Sequence, residues 1–262
     1  MKRLAVLGHP VAHSRSPAMH NAALAELGLD DWTYGAIDLP PDELELRVRA
    51  MAGEDYVGAN VTVPHKGAAL ALADTLSETA REIGAANTLS FEAGEVRADN
   101  TDAQGLLEAL PAPSAGKRTL VLGAGGAARA AVWALVREGA EVEVWNRTAL
   151  RAENVCAELG GTAVASPEQG AYALIVNTST AGTAGGDPFA DLPLDRGGFA
   201  PGQTVVDLVY GKRPSLLLAA AADAGATVVD GIEVLVRQGA LSLRLWTGRQ
   251  APLEAMRAAA RR

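Results

Sequence analysis

The chain has 262 residues, enough for one large domain or for two smaller domains that each bury a core of their own. Hydrophobic residues make up 48% of the chain and charged residues 21%, which is typical of a soluble globular protein. The net charge of -8 and the lack of a dense Lys/Arg run argue against a nucleic-acid partner, because phosphate binding needs a basic surface.

The first apolar run covers residues 1–7 and is too short for a signal peptide, so we predict a strand of the mature protein there. No stretch approaches the roughly 20 apolar residues that cross a bilayer, which predicts no membrane partner. Cys156 is the single cysteine and excludes an internal disulfide framework. His9 and His13 are four residues apart, but Pro10 between them argues against a shared helix face. We therefore expect a cytoplasmic protein that binds no metal.

Strand-like and helix-like segments alternate through the first part of the chain. The predicted strands cover 4–7, 32–38 and 56–63, and the predicted helices cover 16–27, 42–52 and 67–73. This alternation predicts an α/β domain with a mostly parallel sheet. The alternation stops at residues 86–99, which we interpret as a hairpin turning at Ala93 and Gly94, before a helix over 101–110.

The end of the third predicted strand carries a group of polar residues. Asn60 and Thr62 share one face of the strand, while the valines beside them face the core. Pro64 ends the strand and places Lys66 at a helix N-terminus, where the helix dipole disfavours a positive charge. Lys66 is therefore a candidate proton acceptor, although a solvated surface lysine is the ordinary explanation. Because the chain has 19 Arg and 4 Lys, and Arg cannot act as a base, a lysine here favours the catalytic interpretation.

Two further segments of the first part have side chains that could bind or react. Thr101 before a predicted helix is most simply an N-cap, whereas Asp102 could pair with Lys66 across a cleft and share proton transfer. Ser14 and Ser16 precede a predicted helix, with Ser16 as the expected N-cap, and their hydroxyls at the helix start could hold a carboxylate.

A second α/β unit begins at Arg118. A buried-strand pattern over 119–122 leads directly into Gly123-Ala124-Gly125-Gly126-Ala127-Ala128, followed by a predicted helix over 129–138 and a strand over 141–145. The glycines permit a tight turn and close approach of a pyrophosphate to the helix N-terminus. A glycine turn without a ligand is the alternative, but the matched strand, helix and second strand favour a dinucleotide site.

The end of the second strand of this unit distinguishes between the two dinucleotides. An NAD site usually has Asp or Glu there to bind the ribose 2′-hydroxyl. This chain has Asn146, Arg147 and Thr148, with Arg151 one helical turn further on. Since a guanidinium group binds a 2′-phosphate well, the sequence predicts NADP rather than NAD.

Six motifs, in order along essentially the whole chain, resemble the shikimate dehydrogenase family. They cover residues 8–17, 60–66, 84–88, 100–102, 123–128 and 146–148. The resemblance implies two α/β domains with a cleft between them. One is a substrate-binding domain with a mostly parallel sheet (1–101, joined by the C-terminal helices 238–262), and the other is a Rossmann-type NADP-binding domain (102–237). It also implies NADPH-dependent, reversible reduction of 3-dehydroshikimate to shikimate in aromatic amino-acid biosynthesis.

Carried over motif by motif, the resemblance implies roles for individual side chains. Lys66 and Asp102 would form the acid–base pair at the reacting hydroxyl. The substrate contacts would be those two residues with Ser14, Ser16, Asn60, Thr62, Asn87, Tyr210 and Gln238. The cofactor contacts would be Gly123, Ala124, Gly125, Gly126, Ala127, Asn146, Arg147, Thr148, Arg151, Thr178, Val209 and Gly231. For Gln238, an exposed position on a C-terminal helix is the ordinary explanation.

Some residues depart from the family pattern, and other functions stay open. Gly211-Lys212-Arg213 stands where Asn-Pro is usual, which leaves the loop beside Tyr210 unassigned, and His9 replaces a commoner Asn or Asp. The alternative functions are a quinate/shikimate dehydrogenase of broader specificity, a non-catalytic shikimate-binding sensor, and a folate-type NADP dehydrogenase of similar architecture. A homodimer is also compatible with the sequence, which does not determine the oligomeric state.

Overall fold

A computed structural model describes residues 1–211 and 215–262 of the chain. It divides into two compact units, one of residues 1–105 with 235–262 and the other of residues 106–234. The first division falls within a helix, between Gly105 and Leu106, and the second falls within another helix, between Val234 and Leu235. Asp102 therefore belongs to the same unit as Lys66.

The first unit is built on a sheet with the strand order β2-β1-β3-β5-β6-β4, as far as the described residues show. Its strands are β1 (Lys2–Gly8), β2 (Trp32–Asp38), β3 (Tyr56–Val61), β4 (Thr75–Leu76), β5 (Thr88–Glu92) and β6 (Glu95–Asp99). The strand β1 pairs in parallel with β2 and β3, and β4 pairs in parallel with β6, whereas β5 is antiparallel to β3 and β6. The sheet is mostly parallel, as predicted.

Helices cover this sheet and bury an aliphatic core with few aromatic rings. They are α1 (Ser16–Glu26), α2 (Leu44–Ala52), α3 (Lys66–Ala71), α4 (Glu78–Ile83) and the start of α5 (Asp102–Ala109), followed near the C-terminus by most of α9 (Gly231–Thr247) and by α10 (Leu253–Ala260). One core cluster joins Leu7 and Val61 of the sheet to Val48 and Met51 of α2. The helix α10 packs on α1, so the C-terminal residues complete the first unit.

The second unit contains a sheet whose described strands all pair in parallel, in the order β12-β11-β10-β7-β8-β9. The strands are β7 (Arg118–Leu122), β8 (Glu141–Trp145), β9 (Thr162–Ala163), β10 (Leu174–Asn177), β11 (Thr204–Asp207) and β12 (Thr227–Asp230). The helices are α6 (Gly126–Arg137), α7 (Ala149–Leu159) and α8 (Leu216–Asp223). Numbered within the unit, this is the 3-2-1-4-5-6 order of a dinucleotide-binding fold, with the change of direction between β7 and β10.

The two faces of the second sheet have separate cores, as expected for a parallel sheet covered on both sides. Val121 and Val144 point into one cluster with Leu135 of α6, while Leu120 and Val205 point into the other. The apolar runs that predicted buried strands are therefore explained by burial on both faces.

Several element boundaries differ from the sequence-based prediction. The strand β3 ends at Val61 rather than at residue 63, and Val63 is 56% exposed in a turn, so its predicted place in the core is wrong. The helix α6 begins at Gly126, three residues earlier than predicted, because the glycine turn leads straight into it. The hairpin between β5 and β6 turns at Ala93 (φ 51°) and Gly94 (φ 84°), as predicted. Both φ values are positive, as in the two-residue turns that suit hairpins.

None of the helices in the described parts of the chain is long and apolar enough to cross a membrane. The departure from the family pattern at Gly211-Lys212-Arg213 falls partly outside the described residues, because the structure describes neither Lys212 nor Arg213.

Candidate active site

The central feature of the first unit is an ion pair between Lys66 and Asp102. Lys66 is the first residue of α3 and Asp102 is the first residue of α5, so two helix starts bring the side chains together. The Lys66 Nζ donates to Asp102 Oδ2 over 2.5 Å, and the two side chains are only 14% and 17% exposed. This arrangement gives a proton donor and acceptor that touch each other and still reach solvent.

Asn87 holds the other oxygen of the Asp102 carboxylate. Its Nδ2 donates to Asp102 Oδ1 over 2.9 Å and to Gln238 Oε1 over 3.0 Å, while its Oδ1 accepts from the backbone N–H of Thr101 over 2.7 Å. Gln238 is 7% exposed, so the alternative of an exposed helical residue is wrong for this side chain. Asn87 and Gln238 therefore lie in one hydrogen-bonded group with the ion pair.

Asn60 lies beside this group and is almost fully buried, at 5% exposure. Its Oδ1 accepts from the phenol of Tyr34 over 2.8 Å, and its Nδ2 donates to Ser242 Oγ over 2.9 Å. The hydroxyls of Thr88 and Thr101 complete the network, each within 3.1 Å of Ser242 Oγ. The predicted polar face of β3 is thus packed against protein hydroxyls rather than left open.

The two predicted carboxylate-binding serines lie where β1 leads into α1. Ser16 is 4% exposed, and its backbone N–H lies 3.3 Å from Ser14 Oγ. Thr62 lies just past β3, where its backbone N–H donates to Leu7 O over 2.9 Å. A Cβ added to Gly8 would meet the Thr62 side chain at 2.4 Å, so Gly8 allows Thr62 to approach β1 closely.

One capping prediction is wrong, at α1. The N-cap of α1 is Arg15, not Ser16, because the helix already includes Ser16. At α5, Thr101 does stand at the N-cap position, where its carbonyl accepts from the backbone N–H of Gly105 over 3.0 Å, but the capping side chain is that of Asn100. The Oδ1 of Asn100 accepts from the backbone N–H groups of residues 102 and 103 over 3.0 and 3.3 Å. The amide of Asn100 does the capping, which leaves the Thr101 hydroxyl available for the buried network.

Sequence reasoning missed three members of this network: Tyr34, Thr88 and Ser242. Ser242 lies one helical turn after Gln238 on α9, so the i, i+4 spacing from Gln238 indicates that both side chains share one helix face. Tyr34 carried no such signal, because a tyrosine in a strand is most simply a core residue.

The glycine turn of the second unit lies at the change of direction in its sheet. Gly123 follows β7 with a φ of 117°, a conformation that favours glycine. Thr178 follows β10, and its Oγ1 donates to Leu122 O over 2.8 Å. A Cβ added to Gly123 would lie 2.6 Å from Thr178 Oγ1, so glycine is required for the two loops to meet. Ligands of such sheets bind at this point, beyond the carboxyl ends of the strands.

The rest of the turn fits an approaching pyrophosphate. A Cβ added to Gly125 would meet no protein atom within 4 Å, so the space in front of this residue is open. Gly126 begins the 12-residue helix α6, and the buried Ala128 packs inside the unit. Ala124 and Ala127 flank these positions with small side chains. Free backbone N–H groups at a helix N-terminus attract an anion of this kind.

The residues after β8 present positive charge where an NAD site would have an acid. The side chains of Arg147, Thr148 and Arg151 are exposed, and Asn146 Nδ2 donates to Thr148 O over 3.0 Å. This hydrogen bond holds the turn before α7. The two exposed guanidinium groups and the missing carboxylate fit a ribose with a 2′-phosphate.

The Asp207 carboxyl group forms hydrogen bonds with the end of β10 and with the loop after β11. Asp207 is fully buried at the end of β11, and this burial raises the pKa of its carboxyl group. Its Oδ1 accepts from Asn177 Nδ2 over 2.9 Å and from the backbone N–H of Val209 over 3.1 Å. A Cβ added to Gly231 would meet Leu208 O at 2.6 Å, so α9 begins close to this loop.

Tyr210 is half-buried and belongs to the second unit. Its role as a substrate contact stays a prediction.

Three family models match the chain in order. A shikimate dehydrogenase substrate-binding domain matches residues 6–89, a shikimate/quinate 5-dehydrogenase model matches residues 106–179, and a shikimate 5′-dehydrogenase C-terminal domain matches residues 231–261. The matches therefore fall in both compact units.

Whole-chain comparisons point to the same family. The chain is 46% identical to the NADP(+) shikimate dehydrogenase of Anaeromyxobacter sp. (strain Fw109-5), over 97% of this chain and 94% of that protein. It is 43% identical to that of Methanopyrus kandleri, over 97% of this chain and 93% of that protein. The crystal structure of shikimate 5-dehydrogenase from Thermus thermophilus, in complex with NADP(H) and shikimate, superposes with a TM-score of 0.91 at 43% identity, covering 100% and 99% of the two chains.

Proposed function

The chain belongs to the shikimate dehydrogenase family, and from this premise we propose how its own residues carry out the family reaction. The protein is an NADP-dependent oxidoreductase that reversibly reduces 3-dehydroshikimate to shikimate in aromatic amino-acid biosynthesis. The observation that supports the assignment of catalytic residues is the largely buried ion pair of Lys66 and Asp102.

Lys66 and Asp102 act as one proton-transfer unit in this proposal. In the direction of reduction, the carbonyl oxygen of the substrate gains a proton from Lys66 Nζ as its carbon gains a hydride. In oxidation, Lys66 takes the hydroxyl proton back. Asp102 holds Lys66 through Oδ2 and is itself held through Oδ1 by Asn87, so the amine cannot swing away from the reacting atom.

The dinucleotide fits the second unit on three observations. Gly123 allows close approach to Thr178, the space before Gly125 is open, and Arg147 and Arg151 are exposed where an NAD site would carry an acid. When bound, NADP(H) supplies or accepts the hydride. Arg147, Arg151 and Thr148 would hold the 2′-phosphate, and the N-terminus of α6 would hold the pyrophosphate.

We assign substrate binding to the first unit and NADP binding to the second. The match of residues 6–89 to a substrate-binding domain and the glycine turn of residues 123–128 support this division. The hydroxyls of Ser14 and Ser16 would bind the substrate carboxylate. Asn60, Thr62, Asn87 and Gln238 would bind ring hydroxyls.

Two alternatives are disfavoured by particular observations. A quinate-oxidising relative that uses NAD would be expected to carry an acid near Asn146, where this chain has none. A non-catalytic sensor could lose the base, whereas Lys66 and Asp102 are both present and in contact. We also propose that the enzyme works in the cytoplasm. The homodimer stays a prediction that sedimentation velocity would test.

The purified protein mixed with shikimate and NADP+ should form NADPH, seen as a rise in its absorbance. Parallel reactions with quinate, and with NAD+, define the specificity. If the protein oxidised quinate with NAD+ but did not oxidise shikimate, it would be assigned to the quinate-oxidising relatives instead.

A further inference from the structure

The side-chain amide of Asn60 is held from both ends. Its Oδ1 accepts from the Tyr34 phenol over 2.8 Å, and its Nδ2 lies 2.9 Å from Ser242 Oγ. The same Nδ2 lies 3.2 Å from both Asn87 O and Thr88 Oγ1. A backbone carbonyl has no proton to donate, so the Nδ2 and not the Oδ1 must face Asn87 O. The two ends of the amide are therefore distinguished by protein atoms alone.

This arrangement limits how Asn60 can bind a ligand. The two N–H groups of Nδ2 already have three protein acceptors, whereas Oδ1 can accept a second hydrogen bond besides the one from Tyr34. Asn60 would therefore meet a substrate hydroxyl as an acceptor. If the amide turned over, its oxygen would face Asn87 O and this capacity would be lost.

Tyr34 is itself held in place by α1. Its backbone N–H donates to Asn21 Oδ1 and its backbone carbonyl accepts from Asn21 Nδ2, both over 2.9 Å. The imidazole of His20 stacks flat on the phenol ring, with the ring centroids 4.2 Å apart and an angle of 1° between the planes. Tyr34 is 2% exposed and His20 is fully buried, so the phenol has little freedom to leave Asn60.

Ser242 has the corresponding role at the other end of the amide. It is fully buried on α9, one turn after Gln238, and its hydroxyl donates to Gln238 O over 3.1 Å. The hydroxyls of Thr88 and Thr101 lie 2.9 and 3.1 Å from it. Ser242 therefore links Asn60 to the group that holds Asp102.

We propose that Tyr34 and Ser242 are positioning residues of the substrate site, which fix the Asn60 amide so that its oxygen accepts from a substrate hydroxyl. The proposal rests on the substrate-binding role proposed for Asn60. It assigns a function to two buried residues that do not themselves need to touch the substrate.

The test compares Tyr34→Phe and Ser242→Ala with two matched controls. Tyr34→Phe removes one oxygen and keeps the ring stacked on His20. Its control is Tyr56→Phe, which removes a phenol that is 7% exposed and accepts from Arg3 Nη2 over 2.6 Å. The control for Ser242→Ala is Ser114→Ala, because Ser114 is also fully buried. All four variants shorten a side chain by one oxygen, so packing changes little.

Tyr34→Phe and Ser242→Ala should each raise the KM for shikimate about tenfold, because each loses the effect of one hydrogen bond to Asn60. The Kd for shikimate, measured by calorimetry, should rise by the same factor. The KM for NADP+ and the KM values of both controls should stay unchanged, even where the melting temperature falls. In the Asn60→Ala background, Tyr34→Phe should raise the KM for shikimate by less than about twofold, because the amide that accepts from the Tyr34 phenol is absent.

A shikimate KM unchanged in both Tyr34→Phe and Ser242→Ala would show that these residues only support folding, and would overturn the proposal. Full additivity with Asn60→Ala would overturn it as well. Failure of the wild-type protein to oxidise shikimate would instead count against the proposed function, so the two failures are distinguishable.

Discussion

The Lys66 ammonium and the Asp102 carboxylate are 36 residues apart in the chain and 2.5 Å apart in the structure. The contact forms because each residue opens a helix, one after β3 and the other after β6. Both residues lie in the first unit, so this unit contains the whole proposed proton-transfer pair.

Lys66→Ala should lower kcat by more than about a hundredfold, which is the lower scale for loss of a general base. Shikimate binding measured by calorimetry should survive, because Asn87 and Gln238 keep their hydrogen bond. Lys117→Ala serves as the control for removal of a lysine in the second unit. A Lys66→Ala enzyme with near-normal kcat would refute the role of Lys66 as the proton-transfer group.

Asp102→Asn should also lower kcat strongly, because a neutral amide neither attracts the Lys66 ammonium nor exchanges a proton with it. If Lys66 and Asp102 work as a unit, the double variant Lys66→Ala/Asp102→Asn should be about as slow as the slower single variant. Steady-state kinetics of the three variants checks this. Losses that multiply would indicate two independent roles.

Arg147→Ala and Arg151→Ala should each raise the KM for NADP+ about tenfold or more, because a hydrogen bond to a charged group is worth more than a neutral one. The KM for NAD+ should not change, since NAD+ lacks the 2′-phosphate. Arg137→Ala, on the exposed end of α6, is the matched control. An equal effect on both dinucleotides would argue against 2′-phosphate recognition.

Gly123→Ala should weaken NADP+ binding and lower stability, because its Cβ would lie 2.6 Å from Thr178 Oγ1. Gly116→Ala separates this clash from backbone strain. Gly116 also has a positive φ, of 70°, but a Cβ there would meet nothing within 4 Å. The control should cost about 1 kcal/mol of unfolding free energy and leave NADP+ binding intact. Equal binding losses in both variants would contradict a specific contact with Thr178.

Burial lowers the pKa of His20 to about 3, against an ordinary value of 6.5. As the pH falls below 6.5, His20 becomes protonated in the unfolded chain but stays neutral in the folded protein. Stability from this residue is therefore present above pH 6.5 and is lost between pH 6.5 and about 3. From pH 7 to pH 5.5 the loss should be about 1 kcal/mol.

Chemical denaturation at a series of pH values would measure this loss. His20→Gln should flatten the pH dependence, whereas His13→Gln, at an exposed position, should leave it as in the wild-type protein. Identical pH profiles for the wild-type protein and His20→Gln would exclude His20 as the source.

The sequence alone determined the fold class and the cofactor, because both depend on local patterns. Alternating apolar runs predict strands and helices wherever burial is uniform, and residues 118–145 carry the strand, turn, helix and strand of a dinucleotide site without help from distant residues. The preference for NADP over NAD likewise follows from the sequence, because position 146 is Asn rather than an acidic residue. Local patterns do not predict where β3 ends, because the end of a strand depends on which neighbouring strand continues to pair with it.

Only the tertiary structure decided which polar residues meet. Asn60 reaches Ser242 across 182 positions of chain, and Asn87 reaches Gln238 across 151. No local pattern encodes such contacts, since they depend on how α9 packs on the first sheet. The strand order β2-β1-β3 likewise brings the Tyr34 phenol within hydrogen-bonding distance of Asn60 across β1. Hydrogen bonding acts over about 3 Å, so it is decided by final positions in space rather than by order along the chain.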